Sequence, residues 1–405
     1  MLIFRWQANR LFSRNDAKNM KYFIKTFGCA GNIADSERVA AMYQACGYKE
    51  AKDYDSADVV VINTCIVRKS AEDRVYGLVK NLARRKDLNK NFKIVVTGCL
   101  VGAAHREPSG QRLKDLQRIL PNVDEFLPIE EVGFEYAPVR KDKENALVLI
   151  SNGCNNMCTF CIVPYSRGKE ISRPFAEIMH EVEHLLLQGY SEITLLGQNV
   201  NSYGADLLQQ GEVDFELPNG KKVEPVMVKH LGRVRIPTLF PYLLDSVAKI
   251  EVKLPNGAIK KFKKVNFMSS NPWDFSDELI KVIAANKNVN REIHLPVQSG
   301  NNDILKKMNR WYTREEYLEL IKKIKNTVSE AQFTTDVIVG FPNETEEQFN
   351  DTLDLFKQIN FNIAYISMYS PRKGTYGASK LEDNISYDEK KKRWNILNDL
   401  TNKKK

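Results

Sequence analysis

Long apolar runs are missing from this 405-residue chain. Its strand-like stretches, such as 59–62, fall far short of the roughly 18 residues a membrane helix needs, so no membrane span is predicted. Glycine-rich phosphate loops are missing too. Neither a Walker A motif nor G-x-G-x-x-G occurs, which argues against nucleotide hydrolysis and the usual binding of NAD. Complete disulfide pairing is excluded because the cysteines number seven. Their spacing reads as metal ligation in a reducing cytosol rather than a secreted scaffold. What is present is ordinary for a globular protein, with 43% hydrophobic and 27% charged residues. At roughly 150 residues per domain the length predicts two or three domains. Sixty Lys and Arg against 51 Asp and Glu give a net charge of +9, which suits an acidic partner such as nucleic acid.

Residues 1–20 form a basic extension with Arg5, Arg10, Arg14 and Lys18 against one acid, Asp16. That balance is similar to an organelle transit peptide, while the alternative is that Met20 starts the chain. From there, 21–28, 58–64 and 92–98 each read as a short buried strand followed at once by Cys29, Cys65 or Cys99. Helical patterns intervene. After Cys65, Ser70-x-x-Asp73 has the form of a capping signal, with Val75, Leu78, Val79 and Leu82 on one helical face. Strand alternating with helix predicts a parallel sheet, in which the carboxyl ends of successive strands share one edge. The three cysteines therefore converge, although 36 and 34 residues separate them. Cys46, beside Val39, Met42 and Tyr43 and just before Gly47, reads as core.

A second series follows. Strands are expected near 147–151, 192–197, 265–269, 292–296, 333–339 and 363–369. Helices are expected at about 175–188, 238–249, 274–286, 313–328 and 345–359, the last with Thr345-x-x-Gln348 as a capping box. Six such units predict a partial (β/α) barrel with its chemistry at the carboxyl ends of the strands. Two Asn-Gly turns, in 216–225 and 253–264, predict inserted hairpins within about 210–264. Lys221, Lys222, Lys229, Lys253, Lys260, Lys261, Lys263 and Lys264 lie in or beside them and could follow an RNA backbone, or simply keep hairpin edges from pairing. The basic runs 390–393 and 403–405 read as solvated helix face and tail.

Cys154, Cys158 and Cys161 form C-x3-C-x2-C directly after the first barrel strand. Three thiolates on a four-iron cluster leave one iron open to chelate a small molecule's amino and carboxylate groups. Zinc usually wants a fourth protein ligand, and none lies close by in sequence, although a distant one would leave a zinc site open. Polar residues at strand ends would ring that iron: Gln198 with Asn199, Ser269 with Ser270, Gln298 and Asp336 as candidate cofactor-binding residues, and His294 as a structural one. Arg167 and Arg173, just past the loop, could hold a carboxylate or a phosphate, against the alternative of a surface ion pair.

The cysteine motif and its surroundings, SNGCNNMCTFCIVPYSRGKEISRP, resemble the radical S-adenosylmethionine methylthiotransferases. TFGCAGNIADSE, VINTCIVRKSAEDR, VTGC, LLGQNVNSYG, HLPVQSG, MNRWYTREEY, TDVIVGFPNETEEQF and SPRKGT resemble the MiaB type, which makes 2-methylthio-isopentenyladenosine in tRNA. The resemblance covers about 21–400 apart from the hairpins. It implies a Rossmann-like parallel α/β domain at 21–140 followed at 141–385 by a partial (β/α)6 radical-SAM barrel. It implies two four-iron clusters, an auxiliary one on Cys29, Cys65 and Cys99 and a radical-generating one on Cys154, Cys158 and Cys161, with S-adenosylmethionine as radical source and methyl donor. The implied partners are a tRNA substrate, an external electron donor and a sulfur donor, for a cytoplasmic enzyme expected to be monomeric. Residues 386–405 read as a charged helix and tail where the family usually begins a TRAM domain, which is expected to be missing. The loop LVGAAHREPSGQ after Cys99 and the hairpins also depart from the family pattern. Two alternatives are the same chemistry on threonylcarbamoyl adenosine or a ribosomal-protein aspartate, and a non-catalytic paralogue that binds clusters or tRNA.

Overall fold

The computed structural model describes residues 20–66, 69–89, 91–134, 136–208, 215–230 and 234–403, so nearly all of the basic extension lies outside the described residues. The chain divides into two compact units. One runs to Lys143 and includes Ile162–Gly168, and the other comprises Glu144–Cys161 and Lys169–Lys405.

In the first unit five parallel strands have the spatial order Lys49–Glu50, Lys21–Phe27, Val59–Thr64, Lys93–Gly98, Glu125–Leu127. The two central strands are buried almost throughout because helices cover both faces, which is why their sequences are continuous β-branched runs rather than alternating ones. Register decides what happens at the sheet edge. Phe27 pairs with Thr64 and Thr64 with Gly98, so the three strands end level and Cys29, Cys65 and Cys99 follow on one edge. Helices Ala30–Ala45, Lys69–Leu88 and Cys99–His105 return the chain. The helix after Cys65 starts at Lys69, ahead of the Ser70 start that the capping signal suggests. Cys46 is half-buried at the end of the first helix and packs against the core, with Gly47 in the left-handed conformation just beyond.

The second unit contains the six expected parallel strands as two three-stranded sheets. Asn145–Leu149, Glu192–Leu196 and Lys264–Met268 form one, and Glu292–His294, Gln332–Val339 and Ile363–Met368 the other. In the first sheet Leu149, Leu196 and Met268 are in register, so these strands also end level. A single parallel bridge, Val265 to Val289, links the third strand to the run-up of the fourth. Helices Phe175–Gln188, Phe240–Lys249, Asp277–Ala285, Arg314–Thr327 and Glu346–Ile359 alternate with the strands. Thr345 and Gln348 form the expected capping box, and Thr313 with Glu316 forms another.

Among the described residues the region of about 210–264 holds three hairpins rather than two. Phe215–Glu216 pairs with Lys222–Val223 and Val252–Lys253 with Ile259–Lys260, as the Asn-Gly turns predict. The additional hairpin, Val226–His230 with Val234–Thr238, has no such turn signal.

The basic run 390–393 is a solvated face only in part, because Lys391 and Lys392 are exposed but Lys390 and Arg393 are not. Tyr387–Thr401 is a helix packed on the last strand, with Trp394 Nε1 donating to the Ile366 carbonyl at 2.9 Å. Lys390 is buried and donates to Asp383 and to the Tyr369 carbonyl, while Arg393 is buried against Glu344 at 2.8 Å. Removing one partner of a buried pair leaves the other charge uncompensated. Arg393→Met is therefore expected to destabilise the chain by about 3–5 kcal/mol, read from urea unfolding followed by circular dichroism.

Candidate functional site

Each unit presents a cysteine set at the carboxyl edge of a parallel sheet. In the N-terminal unit Cys65 and Cys99 are buried and Cys29 is exposed. Asn32 lies between Cys29 and Cys99, fully buried, and its Oδ1 accepts from the Cys29 backbone N–H at 3.3 Å. Its Nδ2 donates to Asn63 Oδ1 at 3.0 Å and lies 4.0 Å from Cys99 Sγ. Asn63 Nδ2 in turn donates to the Asn32 carbonyl and to Ser36 Oγ. Gly98, at φ +90°, precedes Cys99 where a Cβ would strike Asn63 and the Thr64 backbone, so only glycine fits.

Arg167 belongs to this unit. It is buried and donates to Asp35 at 2.6 Å, and Asp35 also pairs with Arg38 at 3.3 Å. Burial works against the guanidinium charge, but Asp35 and the Cys99 and Cys29 thiols outweigh it and hold the pKa above its ordinary value. The candidate cofactor or phosphate clamp is thus a buried cation committed to a carboxylate and facing the N-terminal cysteines. Arg173 is similarly engaged, donating to Glu181 at 2.6 Å and to the Leu149 carbonyl at 2.9 Å. Through Nη1 it ties a helix to a strand.

In the second unit Cys154 and Cys158 are buried and Cys161 is half-buried, on the loop after the short strand Ser151–Asn152. Burial, then the neighbouring Cys161, pushes the Cys154 thiol well up. Gln198 reaches this loop, its Oε1 accepting from the Gly153 N–H at 2.7 Å. Ser269 and Gln298 both stand in the left-handed region, at φ +74° and +66°. That conformation is costly for non-glycine residues and concentrates at functional sites. Gln298 is anchored by its backbone, donating to the Asp336 carbonyl and accepting from Ile338 N–H. Asp336 is half-exposed, with Oδ2 3.2 Å from His294 Nε2, while His294 Nδ1 is 2.9 Å from Thr334 Oγ1. His294 therefore has a partner at each nitrogen.

Several polar residues at this edge were missed by sequence reasoning. Glu170 is buried with Ser202 Oγ donating to its carboxylate at 2.7 Å, and burial pushes its pKa up to about 8. Asp274 is buried, accepts from Asn199 at 2.6 Å and is pushed up to about 7, again by burial. Arg310 is buried with Nη1 3.5 Å from Cys158 Sγ, and here Tyr312 and the Cys158 thiol outweigh burial to raise the pKa. The motifs LLGQNVNSYG and MNRWYTREEY contain Ser202 and Arg310, but only the fold reveals that they point inward.

Whether this edge suits a bound group can be tested on its unsatisfied atoms. Buried polar groups are ordinarily hydrogen-bonded. Ser151 Oγ, Asn156 Oδ1, Asn199 Oδ1, Asn201 Oδ1 and Ser270 Oγ have no protein partner, and all five follow the first, second or third strand of the barrel series. Orphans gathered at one sheet edge beside three thiols fit a polar, chelated ligand. Among the described residues no three His, Cys, Asp or Glu side chains are gathered tightly enough for a single metal ion. A cavity of about 660 Å³ lies nearby, walled by the additional hairpin, Trp273, Trp311, Tyr312 and the acids Asp277 and Glu316.

Residues 148–356 match the radical SAM superfamily, and residues 21–118 match Uncharacterized protein family UPF0004. A tRNA-2-methylthio-N(6)-dimethylallyladenosine synthase of Bacillus cytotoxicus is 39% identical over 96% of this chain and 73% of its own length. The synthase of the same name from Halalkalibacterium halodurans is 40% identical over 94% of this chain and 68% of its own. Among solved structures, the radical S-adenosylmethionine methyltransferase TsrM from Kitasatospora setae matches with a TM-score of 0.56 at 13% identity, over 89% of this chain and 77% of that one, which speaks for the fold alone. The chain belongs to the radical SAM superfamily and, within it, to the tRNA-2-methylthio-N(6)-dimethylallyladenosine synthase family.

The buried Glu170 makes a pH-dependent claim. Its carboxyl ionises near 4.5 unfolded and near 8 folded. Between those values the unfolded chain has released the proton and the folded chain has not, so stability falls as pH rises through the window. Glu170→Gln keeps an acceptor for Ser202 and removes the slope. In the metal-free chain it is expected to gain roughly 2–4 kcal/mol on the wild type between about pH 5 and pH 8, read from urea midpoints.

Proposed function

We propose that this protein catalyses radical methylthiolation of the isopentenylated adenosine beside the tRNA anticodon. The observation that carries the reading is the C-x3-C-x2-C loop at the carboxyl edge of the barrel sheet, in a chain about two-fifths identical over nearly its whole length to synthases of that name. Those names favour this substrate over threonylcarbamoyl adenosine or a protein aspartate, and favour an enzyme over a non-catalytic paralogue.

Cys154, Cys158 and Cys161 would hold one four-iron cluster, and Cys29, Cys65 and Cys99 the auxiliary one. With S-adenosylmethionine bound, the former supplies radical chemistry able to activate an aromatic C–H bond, which lies beyond ordinary acid–base groups. The chain's own work is positioning. Gln198 braces the cysteine loop through Gly153, and Asn32 with Asn63 fixes the loop of Cys29 against Cys99. Ser151, Asn199, Asn201 and Ser270 offer unspent hydrogen-bonding atoms to the cofactor, with Ser269, Gln298 and Asp336 beside the strand ends. Arg167 acts through its charge near the auxiliary cysteines, and Arg173 through its hold on Glu181, rather than as ligand clamps.

The partners in this reading are tRNA, an external electron donor and a sulfur donor, with a monomer working in the cytoplasm. Among the described residues no helix is long and apolar enough to cross a membrane. The exposed hairpin lysines, including Lys221, Lys222 and Lys253, suit an RNA backbone. Expressed in a host lacking its own enzyme, the chain is expected to convert N6-isopentenyladenosine in tRNA to its 2-methylthio derivative, read by nucleoside mass spectrometry. Unmodified isopentenyladenosine together with a methylthiolated ribosomal protein would reverse the assignment.

A further inference from the structure

We propose that Arg310 is a positioning residue that sets the reduction potential of the cluster on Cys154, Cys158 and Cys161, through its contact with Cys158. The inference rests on the radical-SAM reading above. Arg310 is 7% exposed, yet among the described residues it forms no ion pair with a carboxylate. Its Nη1 lies 3.5 Å from Cys158 Sγ, its Nη2 donates to the Pro296 carbonyl at 3.1 Å and its Nε donates to Tyr312 Oη at 3.4 Å. Asp274, buried in the same unit, feels the Arg310 charge but makes no hydrogen bond or ion pair with it, taking its hydrogen bond from Asn199 instead. A buried cation requires a compensating anion, and neutral acceptors do not supply one. The one anionic centre its guanidinium touches is the Cys158 sulfur, with whatever that sulfur ligates.

The guanidinium is also held in orientation. It stacks 4.5 Å from the Trp273 ring and 5.4 Å from the Tyr312 ring. Tyr312 is anchored in turn, donating to the Val297 carbonyl at 2.6 Å. Arg310 lies against these two rings, which themselves stack 6.0 Å apart, and cannot swing toward solvent without losing both contacts. Cluster potentials depend on net charge, on hydrogen bonds to the sulfurs and on exposure, and this residue acts on all three. Reduction adds one negative charge to the cluster, so a fixed cation with an N–H directed at a ligating sulfur favours the reduced form and raises the potential. No carboxylate pair or helix periodicity would have revealed this, because 152 residues separate Arg310 from Cys158.

The test uses the full chain with Cys29→Ala, Cys65→Ala and Cys99→Ala, so that a single cluster is read after anaerobic reconstitution. Its midpoint potential is measured by a redox titration followed by electron paramagnetic resonance. Arg310→Gln is expected to shift the one-electron equilibrium at least tenfold toward the oxidised cluster, a potential lower by about 59 mV. Arg310→Lys, which keeps the charge but loses the fork, is expected to shift it less in the same direction. Tyr312→Phe, which keeps the Arg310 charge and its N–H on the sulfur but removes one orienting contact, is expected to shift the potential clearly less than Arg310→Gln. If Arg310→Gln takes up no iron, Arg310→Lys decides alone. An unchanged potential on replacing Arg310, or an equal shift in Tyr312→Phe, overturns the proposal. A parent chain that assembles no cluster on Cys154, Cys158 and Cys161 refutes instead the reading on which it rests.

Discussion

Parallel strands that end level are the constraint on which both sites depend. Phe27, Thr64 and Gly98 stand side by side in one sheet, and Leu149, Leu196 and Met268 in the other. Because the side-chain period of a strand is two, a slip of one residue would move every side chain to the opposite face of the sheet. The fully buried Val59–Thr64 strand, packed on both faces, makes such a slip prohibitive. Hydrophobic burial in the sheets thereby fixes the level at which cysteines far apart in sequence emerge.

At those edges the chain buries an unusual amount of polarity. Asp35, Arg167 and Arg38 form one charged group, Asn32 and Asn63 a second network, and Glu170 with Ser202 and Asp274 with Asn199 a third and fourth. In a low-dielectric setting such networks are rigid when satisfied and costly when not. The N-terminal network is closed around its cysteines. At the barrel edge, orphan oxygens on Ser151, Asn199, Asn201 and Ser270 leave acceptors and donors unspent. This contrast accords with a small polar cofactor bound beside the second cysteine set.

Local pattern made much of the fold legible. Alternation of strand and helix, caps such as Thr345 with Gln348, and Asn-Gly turns are all short-range signals, and helix Phe175–Gln188 matches its sequence pattern end to end. The third hairpin was invisible because its turn lacks the residues that mark the other two. Partners distant in sequence escaped more thoroughly. Arg167 reads as a free fork until Asp35, 132 residues away, is seen to occupy it, and Arg393 reads as solvated until Glu344 is found beneath it. Arg310 lies within MNRWYTREEY, but a lone arginine ahead of Trp311 and Tyr312 has no period or spacing to betray a contact with Cys158. The roles of Gln198, Ser269, Gln298 and Asp336 were inferred from strand ends alone. The structure adds their backbone anchoring and, for Ser269 and Gln298, strained conformations.

The central claim is that two separate cysteine trios each carry a four-iron cluster. Iron and acid-labile sulfide, counted with Mössbauer spectra after anaerobic reconstitution, test it most directly. About eight irons per chain are expected, falling to about four when either Cys154, Cys158 and Cys161 or Cys29, Cys65 and Cys99 are replaced by alanine. A chain that takes up about one zinc and no iron, or one whose iron content does not respond to either replacement, would contradict the account.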